Sequence, residues 1–98
     1  MNERDQRQID LMRRRIDDFE AGHLPLAGLI GDLEFLLNAL DEADRQWVEN
    51  FDRAVMGLET VYATMLDEGR QSLNNREMQL IAEDVKTLKN LLAEAGAE

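Results

Sequence analysis

Glu20 and His23 stand three residues apart, the Glu-x-x-His spacing with which helical bundles hold carboxylate-bridged iron. That chemistry takes the motif twice, on two helices, and His23 is the chain's one histidine. Gly22 also intervenes, and a glycine there ends a helix before His23 is reached. Nucleophilic catalysis lacks material: Ser72 is the one serine, there is no cysteine, and nothing brings Ser72 to His23. Adjacent acids such as Asp17-Asp18 and Asp67-Glu68 are what the polar face of an acidic helix supplies. No glycine-rich loop follows a strand to cradle phosphate. The expectation is a protein with no catalytic residue, no metal and no cofactor.

Acids placed for binding are more informative. The chain of 98 residues carries 21 Asp and Glu against 11 Lys and Arg, a formal net charge of −10. Residues 41–69 hold eight acids against Arg45 and Arg53. On a helical wheel Glu42, Glu49, Asp52, Glu59 and Asp67 gather opposite the apolar rows, with Met56 among them. Spacings of seven, Glu42 to Glu49 and Asp52 to Glu59, draw a negative stripe. Such a stripe speeds encounter with a positively charged partner and discriminates against wrong ones. These six residues are the candidate partner-binding set. The plainer reading is a solvated face, with Met56 an ordinary exposed apolar residue. Nucleic acid is a poor partner for this surface, because its binding depends on Lys and Arg neutralising phosphates.

Four helices are needed to position that stripe. The first spans about residues 4–21, with Ile9, Met12, Ile16 and Phe19 on one face and Gly22 as its stop. Its five arginines alternate with acids, which reads as local ion pairs. The second spans about 25–40, Pro25 suiting its first position. Its stripe of Leu26, Leu29, Ile30, Leu33, Leu36, Leu37 and Leu40 marks the centre of the core. Gly28, Gly31 and Phe35 lie behind that stripe. A flat back with one aromatic calls for a covering element, most simply a neighbouring helix of the same chain, otherwise a partner.

The third helix spans about 42–68, capped by Asp41 and stopped by Gly69. Trp47, Phe51, Ala54, Leu58, Val61 and Met65 form its core row, and Val48, Val55, Tyr62 and Leu66 an adjacent one. Trp47 and Tyr62 read as core residues with their polar atoms at the rim. The fourth spans about 75–95. Asn74 with Glu77 forms a capping box and Leu73 with Met78 a hydrophobic staple. Met78, Ile81, Val85, Leu88 and Leu92 continue the core. Leu11, Leu80 and Leu91 fall off these rows and would line either a self-association surface or a broader internal seam.

One domain accounts for a chain this short. Apolar residues make up 44%, enough for a core, and 33% charged with 5% aromatic residues favours helix over sheet. No apolar run approaches the ~18–20 residues that span a bilayer, and Met1-Asn2-Glu3-Arg4-Asp5 is no signal peptide. The expectation is an all-α, compact four-helix bundle with short connections, soluble and cytoplasmic, with no membrane partner.

The segments Ile16-Asp-Asp-Phe-Glu-Ala-Gly22, Leu29-Ile-Gly-Asp-Leu-Glu-Phe-Leu-Leu-Asn-Ala-Leu40, Trp47-Val-Glu-Asn-Phe51 and Leu58-Glu-Thr-Val-Tyr-Ala63 carry a resemblance. Over about residues 9–92 the chain resembles small all-helical bacterial immunity proteins of contact-dependent growth inhibition and related polymorphic toxin systems. That resemblance implies an antitoxin, which binds a cognate basic toxin domain, often a nuclease, and blocks it. It carries no catalytic motif across. The other expectation is a small structural or regulatory bundle that forms a homodimer through the Gly28/Gly31/Phe35 back or the Leu80/Leu91 flank.

Overall fold

The computed structural model describes residues 2–96, which form α1 (Glu3–Glu20), α2 (Leu26–Asn38), α3 (Arg45–Asp67) and α4 (Asn75–Gly96). Among these residues there is no strand. Each helix packs on its neighbours in sequence, α1 closes the ring against α4, and the backbones of the diagonal pairs stay apart across the shared core. The expected four-helix bundle is therefore the fold, with extents of 42 × 25 × 19 Å. Ile9, Met12, Leu29, Leu33, Phe51, Leu58 and Leu88 are fully buried along its axis. No helix among the described residues is long and apolar enough to cross a membrane.

Two helices end as the glycines dictate. Gly22 and Gly69 take φ of 81° and 68°, the left-handed conformation that a side chain resists. The amide after each then reaches back five residues, His23 N–H to the Asp18 carbonyl and Arg70 N–H to that of Met65. The α4 capping box also forms as expected: Asn74 Oδ1 accepts from Glu77 N–H at 2.8 Å, and Glu77 Oε1 from Asn74 N–H at 3.0 Å.

The start of α3 lies three residues later than expected, and the cause is Asp5. This carboxylate is fully buried in the first turn of α1 and accepts the Asp41 and Glu42 amides at 2.8 Å each. Those residues are thereby held as a turn. Asp44 caps α3 instead, accepting from Trp47 N–H at 3.1 Å. At the other end of that connection α2 stops at Asn38, and Ala39 and Leu40 tighten onto the Leu36 and Leu37 carbonyls. Pro25 sits one position earlier than expected, as the extended residue before α2.

The seam between α3 and α4 is built differently from its apolar pattern. Leu91 is buried, so α4 turns the row Glu77, Asp84, Leu91 inward beside Leu88. Met78, expected in the core, is rotated to the flank and is exposed, as is Leu80. Asp84 lies against Gly57 of α3, where a Cβ would stand 2.8 Å from its Cγ. Trp47 Nε1–H donates to the Leu91 carbonyl at 2.8 Å, and Arg13 from α1 donates to that of Leu92 at 2.7 Å. Leu66, expected in the second row of α3, projects into solvent near that helix's end.

No helix covers the back of α2. Gly31 has nothing within 4 Å of where its Cβ would be, and Phe35 is 74% exposed. Gly28 alone is sheltered, by the Leu24 side chain. The expected internal neighbour is absent because the ring places α1 and α3 on either side of the Leu stripe. The opposite side stays open.

Candidate partner-binding surface

The outward line of α3 lies opposite Trp47, Phe51, Leu58 and Met65, all of which are buried. At 100° per residue that line carries Glu49, Met56, Ala63 and Asp67, with Asp52 and Glu59 beside it toward α2. Met56 is 56% exposed. Thr60 and Thr64 turn their hydroxyls back onto the Met56 and Thr60 carbonyls at 2.9 Å. Glu49 pairs with Arg45 at 3.3 Å. Asp52, Glu59 and Asp67 have no cation within ion-pairing distance among the described residues.

The structure brings together five of the six candidates and separates one. Glu49, Asp52, Met56, Glu59 and Asp67 share the outward side of α3, spread over about 27 Å at 1.5 Å per residue. Glu42 precedes the helix because of the Asp5 turn, so it is not part of the stripe. It lines a polar recess of about 660 Å³ at the end of the bundle, with Asp44 and Glu94. The spacing of seven between Glu42 and Glu49 has no helical meaning here.

The charged groups most perturbed serve the fold. Arg70 grips Glu77 with two nitrogens at 2.6 and 2.8 Å, and this, with the Asn74 amide, pushes the Glu77 carboxyl down to about 2. The Arg70 guanidinium is raised further above its ordinary value by the same bonds to Glu77 and Glu68. Burial against α3, with Glu83 adding repulsion, pushes Asp84 up. Glu20 ends α1 and pairs with Lys89, while His23 lies exposed in the following turn. The Glu-x-x-His pair is thus split between an ion pair and a loop. Among the described residues no three His, Asp or Glu side chains gather as a metal site would require.

A second open surface lies where the α1–α2 and α3–α4 connections meet. Two apolar recesses, of about 630 and 420 Å³, share Phe19, Leu73 and Met78. Met78 and Leu73 both border them, so the expected staple opens onto solvent. No protein-family model, curated sequence or solved structure matches this chain.

Proposed function

We propose that the protein is a non-catalytic binding module that docks a basic partner protein through the outward side of α3. In the setting the sequence resemblance implies, the partner is a cognate toxin domain, in particular a nuclease, and the module is its immunity protein. The observation carrying this reading is Met56, an exposed apolar side chain on a helix face whose neighbours Asp52 and Glu59 have no internal cation. A nuclease must attract phosphate, so its substrate groove is basic, and an acidic inhibitor complements that groove.

The test is co-expression with the C-terminal domain encoded by the adjoining reading frame, scored by growth and by the association rate of the purified pair. Reversing Glu49, Asp52 and Glu59 to Lys is expected to keep the helical spectrum, slow association about tenfold or more at low salt, and narrow that gap as salt rises. Unchanged rates would refute α3 as the docking side. The other reading, a self-associating bundle, loses its Leu80/Leu91 flank, since Leu91 is buried. Its remaining surface is the open back of α2.

A further inference from the structure

The opening where the α1–α2 and α3–α4 connections meet is lined by side chains that apolar spacing assigns to the core. Phe19, Leu73 and Met78 border both of its recesses, and Leu66 borders the larger. Met78 and Leu66 are nevertheless 55% and 53% exposed. The smaller recess follows α4 from Met78 to Lys89, and of α1, which ends at Glu20, only Phe19 and Glu20 border it. From Met78 to Lys89 is about 16 Å at 1.5 Å per residue, or three helical turns. Ala82 lies within this stretch and presents only a methyl group, so another backbone can approach closely.

The charges of the lining are paired with one exception. Arg70 holds Glu68 and Glu77, and Lys89 holds Glu20. Lys86 borders the smaller recess with no ion-pair partner among the described residues. Glu20 is the one carboxylate that lines either recess, and it is taken. In a chain of net charge −10, this opening therefore has a cation to spare.

These features select the occupant. A small-molecule site buries most of its ligand, and a lining half in solvent cannot do so, which leaves a protein segment. No strand among the described residues offers an edge to an extended segment, so the segment must satisfy its own backbone, as a helix does. Two copies of this chain joined at the opening would bring apolar surface but no free carboxylate from the same lining. We propose that this opening is a second docking surface, independent of the outward side of α3, and that it receives an amphipathic helix of a partner protein. Apolar side chains of that helix pack on Phe19, Leu73 and Met78, and a carboxylate about two turns further on meets Lys86, about 12 Å from Met78 along α4.

A displayed library of random peptides, selected on the immobilised full-length protein, provides the probe. Selected peptides are expected to carry apolar residues at helical spacing with an Asp or Glu about two turns on, and to gain helical signal when bound. Their affinity should fall about tenfold or more with Met78→Ser, severalfold with Lys86→Glu, and not at all with Met56→Ser on α3. Exchanging the peptide's acid for Lys should restore binding to Lys86→Glu, which a merely structural role of Lys86 would not produce. Met78 and Lys86 are exposed, so both variants should melt as the wild type does. Peptides indifferent to Met78→Ser, or no enrichment at all, would overturn this surface, and a response to Met56→Ser instead would leave the outward side of α3 as the docking side. Peptides that need Met78 but carry no acid, or that ignore Lys86→Glu, would overturn the carboxylate-bearing partner. A dimer in sedimentation that Met78→Ser dissociates would make the occupant a second copy and overturn the partner helix.

Discussion

Asp5 is the residue on which the α2–α3 connection depends, and its removal tests how the bundle is held at that end. Its two oxygens each accept one backbone amide at 2.8 Å, from Asp41 and Glu42, and the side chain is fully buried. Hydrogen bonds to a charged group contribute about 1.5–3 kcal/mol each. Asp41 and Glu42 are exposed, so water recovers part of the loss once the carboxylate is gone. Asp5→Ala should then cost about 3 kcal/mol. A domain of this size loses about 4–8 °C of melting temperature per kcal/mol, so the drop is roughly 12–24 °C. Asp5→Asn keeps one acceptor and turns an NH₂ toward the other amide, and should lose about half as much or more. Urea unfolding followed by Trp47 fluorescence measures the energies, and amide exchange at Asp41 and Glu42 reports the cause. A change in Asp5→Ala below about 0.5 kcal/mol, or unaltered exchange at both amides, would refute this account of the connection.

The Arg70–Glu77 latch should govern acid stability. The Glu77 carboxyl is held at about 2 in the folded chain against an ordinary 4.5, so its contribution is complete above about pH 4.5 and drains away as pH falls toward 2. Melting temperatures measured across that window should fall less steeply in Glu77→Gln than in the wild type, from a lower value at neutral pH. At the α3–α4 seam, a Cβ at Gly57 meets only the end of the Asp84 side chain, which must swing aside, so Gly57→Ala should change stability by less than about 1 kcal/mol, the displacement offsetting the helix propensity that Ala gains. In an Asp84→Ala background the same change should stabilise by about 0.5–1 kcal/mol, since Ala is the better helix former. Equal effects in the two backgrounds, read from denaturant midpoints, would show that Asp84 does not hold Gly57 in place.

Periodicity was a sound guide wherever apolar residues alone decide the geometry. The Leu26–Leu37 stripe, the Trp47–Met65 row and the glycine stops at Gly22 and Gly69 all stand where spacing predicts, because burial and positive φ leave little choice. It failed where a polar side chain outbids local preference. Asp41 has the chemistry of a helix cap, but Asp5, 36 residues earlier, takes its amide, and no local pattern announces a contact of that range. Glu77 and Asp84 face inward on a row with Leu91, and a search for apolar spacing passes over two acids. The candidate site was legible in part for the same reason. Its acids were visible as a stripe, but that Glu42 stands apart from them depends on the Asp5 turn, a contact between distant residues and not a property of any one segment.

The net charge of −10 divides into two populations with different work. Asp5 and Asp44 cap backbone amides, Glu77 closes a capping box, and Asp32 and Glu20 bind cations of neighbouring helices. These acids are consumed by the fold: losing Asp5, Asp44 or Glu77 should register as lost stability, while the half-exposed pairs of Asp32 and Glu20 contribute little. Asp52 and Glu59 serve no such purpose: they cap nothing and pair with nothing among the described residues. In a chain of net charge −10 they add only to its general self-repulsion, at most a few tenths of a kcal/mol. Replacing them with Gln should therefore leave the protein as stable or slightly more so. In the proposed reading, that small cost is retained for the partner. Stability that rises with Gln while binding falls would separate the two populations, and a Gln variant that loses stability instead would return these acids to the fold.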